Sequence, residues 1–192
     1  AQKYYKEYRK SQNARQVLAD QIAAGQEELA YLESVLYALS QADSFEALSA
    51  IRAELADLGY LRKERTPGGK SLKKKEDDHF LRFVSSDGFE ILVGRNNRQN
   101  DLLTFKKAMP RDIWFHARNI PGSHTILVTG GRVPPDRSMT EAAMLAAWYS
   151  KAQGSSQIPV DYTEARRVKK PQGAKPGFVN YFEFKTAFVS PC

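Results

Sequence analysis

The chain has 192 residues, 42% of them hydrophobic, and carries a formal net charge of +7. No apolar run approaches the ~20 residues that a membrane span needs, and Val17-Leu18-Ala19, broken by Asp20, is too short for a signal-peptide core. Its single cysteine, Cys192, excludes an intrachain disulfide framework or thiolate zinc cage and suits a reducing, cytoplasmic home.

Charge divides unevenly along the chain. Residues 1–61 are net −3, residues 62–78 net +3 and residues 79–192 net +7. The globular part therefore holds a field that favours polyanionic partners, nucleic acid first among them. Ala1 opens the chain without a methionine, inside a helical pattern, and this reads as a piece of a longer protein.

Residues 1–61 are expected to be a helical, coiled-coil arm. Leu18, Ile22, Gly25, Leu29, Leu32, Leu36 and Leu39 follow at alternating steps of four and three, the seam of a left-handed coiled coil spoiled at Gly25. Ser40 to Ser44 breaks the helix. Asp43 with Glu46 suggests a capping box for a second helix, whose apolar face is Leu48, Ile51, Leu55 and Leu58 and whose end is Gly59. A narrow leucine seam needs a partner, because isolated helices draw most of their stability from packing. The expectation is self-association through this seam; the alternative is a helix folded back on the globular part.

Residues 62–78 contain Thr66-Pro67-Gly68-Gly69, Lys73-Lys74-Lys75 and Glu76-Asp77-Asp78, and read as a basic flexible linker. Residues 79–192 read as a compact α+β domain with a largely antiparallel sheet and one main helix. Phe80–Val84 and Phe89–Val93 flank the turn signal Ser85-Ser86-Asp87-Gly88 and predict a hairpin. Asp112–Ala117 and Ser123–Val128 are further strand candidates, as are Arg166–Lys170, Phe178–Glu183 and Thr186–Val189. Thr140–Gln153 is the helix, capped by Thr140 and ended by Gly154.

Three stretches could carry binding chemistry. Gly94 to Asp101 runs eight residues without an apolar side chain, directly after a strand. Arg95 and Arg98 offer planar forks for phosphate, and Asn96, Asn97 and Asn100 can pair with base edges or 2′-hydroxyls. The competing reading makes the asparagines turn and cap residues, with Asn100 or Asp101 starting a helix at Leu102. The second stretch is Asp112-Ile113-Trp114-Phe115-His116-Ala117-Arg118 with Ser123 and His124. Alternation puts Asp112, Trp114 and His116 on one face, where Trp114 could stack a base beside Arg118; otherwise Trp114 and His116 are core. The third is Arg166, Arg167, Lys169, Lys170 and Lys175, either a phosphate track or a lysine-protected sheet edge. Asp112, His116 and His124 are the candidates for a metal or general-base site, but their spacing is no known zinc pattern. No Walker loop or dinucleotide-binding glycine pattern is present, so catalysis and a bound cofactor are not expected.

Taken in order, Asp87 to Asp101, Asp112 to His116, Pro121 to His124, Pro159 to Thr163, Lys169-Lys170-Pro171 and Gly173 to Gly177 resemble the NFACT-R domain of bacterial ribosome-quality-control proteins, also described as fibronectin-binding protein A-like. The helical part is similar to the later arm of that family's middle coiled coil. The resemblance implies a cytoplasmic factor that binds large ribosomal subunits with an obstructed nascent chain, recruits alanyl-tRNA and promotes a C-terminal alanine tail. The domain credited with tailing is not matched, so no catalytic residue carries over. The family is also described as anchorless surface adhesins for fibronectin or fibrinogen, which is the alternative function. A metal-dependent RNA-processing enzyme is the third.

Overall fold

The computed structural model describes residues 2–63 and 79–191; the segment read as a linker, including Lys73–Lys75, lies almost wholly outside them. The chain divides into two compact units, residues 1–33 and residues 34–192. The first unit is part of helix α1 (Gln2–Ser40), rich in the strong helix formers Ala, Gln, Glu, Leu and Lys. Gly25 meets nothing where its Cβ would be, so it interrupts the seam without a packing reason. Leu18, Ile22, Leu29, Leu32, Leu36 and Leu39 all form one exposed stripe, with Leu29 at 60% and Leu36 at 65%.

The second unit starts with the last turns of α1, where Val35 and Ala38 are buried, and continues into helix α2 (Phe45–Asp57). Ser44, not Asp43, caps α2: its hydroxyl accepts from the Ala47 amide at 3.2 Å. Asp43 is exposed and faces Arg95 instead. The C-terminus closes as expected, with Gly59 at φ 85° and the amides of Gly59 and Tyr60 returning to Ala56 and Leu55.

Among the described residues six strands form one antiparallel sheet: β1 (Leu81–Val84), β2 (Glu90–Val93), β3 (Ile113–Ala117), β4 (Thr125–Leu127), β5 (Ile158–Glu164) and β8 (Lys185–Val189), in the order β1-β2-β4-β3-β5-β8. Strands β6 (Val168–Lys169) and β7 (Asn180–Tyr181) make a separate small ribbon. The class is α+β, as expected.

Both faces of the sheet are covered near its centre. Helix α4 (Asp136–Trp148) lays Ala142, Ala143, Ala146 and Ala147 against Ile91, Phe115, Leu127 and Val160. The alanines allow close approach of helix to sheet. On the opposite face Leu92, Trp114 and Ile126 pack with Phe80, Leu103 and Val168. Leu103 opens a π-helical turn (Leu103–Lys107) that follows the short helix α3 (Asn97–Leu102). Alternation thus separates Trp114 from Phe115 correctly, but each side chain enters a core.

Two boundaries differ from the sequence reading. Helix α4 begins at Asp136, and Thr140 lies inside it with its hydroxyl donating to the Asp136 carbonyl at 2.8 Å. It ends at Trp148, because Ser150 leaves the helix to bridge Gly122. Arg166–Lys170 is a 3-10 turn plus the two-residue β6, rather than one long strand.

Candidate nucleic-acid interface

The polar run after β2 is a tightly built corner. The Gly94 amide donates to the His124 carbonyl at 3.0 Å, and a Cβ on Gly94 would run into Asn100 Oδ1. Asn96 caps α3, accepting from the Gln99 amide at 2.9 Å, while Gln99 Oε1 accepts from the Arg95 amide at 3.0 Å. Asn100 accepts from the His124 amide at 3.0 Å. Asn97 donates to Ser34 Oγ at 3.0 Å and Glu54 Oε1 at 3.3 Å, and its Oδ1 lies 2.7 Å from where a Cβ on Gly177 would stand. Asn96, Asn97 and Asn100 are therefore buried and engaged within the protein, and their placement as direct base readers does not fit. They also start the helix at Asn97, five residues before Leu102.

Their burial turns Arg95 and Arg98 outward. Arg98 reaches Asp57 at 2.6 Å, and Arg95 approaches Asp43 at 3.8 Å; all four side chains are substantially exposed. Hydrogen bonds from Arg98 and Lys63 hold the Asp57 carboxyl below the usual range. Beside them lies a groove of about 1190 Å³ with α2 on one side, through Phe45, Ala50 and Ala53. Arg95, Arg98, Leu102, Phe105, Lys106 and Lys170 line the other side, with His79 at the rim.

Lys170 binds Asp101 at 2.9 Å, and Asp101 also accepts from the Gly177 amide at 3.1 Å. Burial raises the Asp101 carboxyl, with Lys170 opposing the shift. Lys175 donates to the Tyr60 hydroxyl at 2.6 Å. Arg166 pairs with Glu164, and Arg167 pairs with Glu164 at 3.6 Å and Glu183 at 2.8 Å; Lys169 is exposed. The structure thus brings Arg95, Arg98 and Lys170 to one groove. Arg166, Arg167 and Lys169 lie at the other end of the β5–β6 connection. Sequence reasoning passed over Phe45, His79, Phe105 and Lys106; the basic pair Lys106-Lys107 after an apolar turn was the available signal.

Trp114 is 0% exposed and offers no face to a base, which overturns its placement as a stacking platform. It sits between His116 (5.8 Å), His124 (5.2 Å) and Tyr181 (4.9 Å). His124 is buried with Nδ1 2.8 Å from Thr104 Oγ1, and Ser123 is buried beside it. Burial lowers the His116 pKa to about 4 and takes His124 well below its ordinary value, so both rings are neutral at neutral pH. Asp112 accepts from the Met109 and Thr129 amides, both at 2.8 Å. Among the described residues no three His, Cys, Asp or Glu side chains gather to hold a metal, so Asp112, His116 and His124 do not form the ligand set considered above. Arg118 is the exception in this stretch: it is partly exposed and fixed by buried Asp161 at 2.9 Å.

Two family models cover the chain: the NFACT N-terminal and middle domains over residues 1–75, and the NFACT protein RNA binding domain over residues 79–181. The chain belongs to the NFACT family, and its globular part is the family's RNA-binding domain. It is 44% identical to the Rqc2 homolog RqcH of Bacillus subtilis over 192 residues, all of this chain and 33% of that protein. It is 43% identical to the Rqc2 homolog RqcH of Streptococcus suis, covering 34% of it. The human ribosome quality control complex subunit NEMF is 36% identical over 78 residues, 39% of this chain and 7% of that protein. The chain thus spans about a third of its bacterial relatives. Among solved structures, the C-terminal part of the fibronectin/fibrinogen-binding protein from Streptococcus suis matches with TM-score 0.87 and 43% identity, over all of this chain and 75% of that one.

Proposed function

We propose that this chain supplies the RNA-binding surface of a cytoplasmic ribosome-quality-control factor. It would bind obstructed large ribosomal subunits and tRNA during C-terminal alanine tailing of stalled nascent chains, without catalysing the tailing. The observation that carries this reading is the groove lined by Arg95, Arg98, Lys106 and Lys170 on an NFACT RNA-binding domain. Phosphate pairing by such cations supplies most sequence-independent affinity. Arg95→Ala with Arg98→Ala tests it. Tetherless alanines cannot pair with phosphate, and tRNA binding should weaken by roughly 1–3 kcal/mol for each bidentate arginine–phosphate pair removed. The exposed ion pairs removed at the same time contribute at most about 1 kcal/mol to stability. Unchanged tRNA affinity would remove the groove from the interface.

The matched streptococcal structure favours a second reading, attachment to host fibronectin or fibrinogen at a cell surface. Competition separates the two. If tRNA fails to displace fibronectin and the double arginine variant still binds it, adhesion uses a different surface.

A further inference from the structure

Toward β8 the sheet face opposite α4 is left open. Pro159 pairs with Phe188, and the Arg118 amide donates to the Pro159 carbonyl at 2.9 Å, so Arg118, Pro159 and Phe188 form a row across three adjacent chain segments. Phe188 is 68% exposed and Phe184 42%. Arg118 lies 5.2 Å from the Phe184 ring centroid. Its guanidinium is not loose: Asp161, fully buried, accepts from Arg118 Nε at 2.9 Å, the Tyr181 hydroxyl at 2.8 Å and the Thr186 hydroxyl at 2.6 Å. An oriented, partly exposed cation therefore stands beside exposed aromatic rings.

We propose that this open face is a second RNA-binding surface, specific for unpaired nucleotides, in which a base stacks on Phe188 or Phe184 and Arg118 takes the adjoining phosphate. The proposal rests on the RNA-binding reading and adds the class of RNA. Sheet-borne aromatics serve bases splayed out of helices, because every base has a π-face and duplex bases are not available to stack. The net +7 of residues 79–192 favours a polyanion over an apolar peptide as occupant. Arg118 and Phe188 are absent from the groove beside α2, so the two surfaces can be tested apart.

The test is fluorescence anisotropy of the whole chain with two labelled probes, a short unstructured RNA and a blunt RNA duplex of equal length. Phe188→Ala, at an exposed position, should weaken binding of the single-stranded probe by roughly five- to 150-fold, the range for removal of one base stack, and leave the duplex unchanged. Phe184→Leu should act in the same direction, and Arg118→Lys should weaken the single strand several-fold although charge is kept. Equal effects on both probes, or none from Phe188→Ala, would overturn the stacking site while the RNA reading stands. Binding of neither probe by the unaltered chain would overturn the RNA reading itself.

Discussion

Replacing Asp161 tests how the open end of the sheet is held. Its carboxylate accepts hydrogen bonds from Arg118, Tyr181 and Thr186, and Asp161 has no exposed surface. Removing one member of a buried charged pair costs about 3–5 kcal/mol when the other stays buried. Arg118 is 38% exposed and regains water, which pulls the figure down. The two stranded hydroxyls add about 1 kcal/mol each. Asp161→Ala should therefore destabilise by about 3 kcal/mol. Asp161→Asn, which keeps one acceptor, should cost about 1–2 kcal/mol. Urea unfolding followed by the near-ultraviolet signal of buried Trp114 gives both values, provided the denaturant slope stays constant. A second readout is the Tyr181 phenol, raised to about 12 by burial first and by its bond to Asp161 second. In Asp161→Asn it should fall only part of the way, since burial persists. A cost below about 1 kcal/mol for the alanine variant, with Tyr181 unmoved, would show that the carboxylate does not organise this region.

Two further outcomes are expected. His116 and His124 are held neutral by burial, with folded pKa values below the ordinary 6.5 and His116 at about 4. The unfolded chain therefore takes up protons first, and stability present above about pH 6.5 should be lost as pH falls toward about 4; a urea midpoint unchanged between about pH 7 and about pH 5 would contradict this. The exposed stripe from Leu18 to Leu39 should pair with a second copy at high concentration. Light scattering should then show a dimer that Leu29→Glu with Leu32→Glu converts to monomer, and a monomer before substitution would refute it.

Local signals were legible where one residue type dictated the backbone. The hairpin turn at Ser85–Gly88, with Gly88 at φ 78°, and the cap at Gly59 follow from glycine's freedom in the left-handed region. Strand β5 was not legible as a strand. Pro159 near its start and Asp161 within it suggest a loop, yet it lies between β3 and β8, with the charge satisfied by three donors from outside the strand. The run from Gly94 to Asp101 failed for a related reason. Polarity alone does not reveal whether asparagines face water or distant partners, and here Ser34, Glu54 and His124 supply the partners. Trp114 could be assigned to a face by alternation, but alternation cannot distinguish solvent from a second core.

The acidic partners of Arg95 and Arg98 turn the groove into something like an ion-exchange resin. Asp43 and Asp57 already sit where phosphates would sit. A polyanion that engages these arginines displaces intramolecular carboxylates as well as mobile counterions. Fewer salt ions are then released per phosphate than for bare arginines, so the slope of affinity against salt understates how many phosphates are held. Both carboxylates belong to α2 or its approach, so each exchange also unfastens that helix from the RNA-binding corner by one tie.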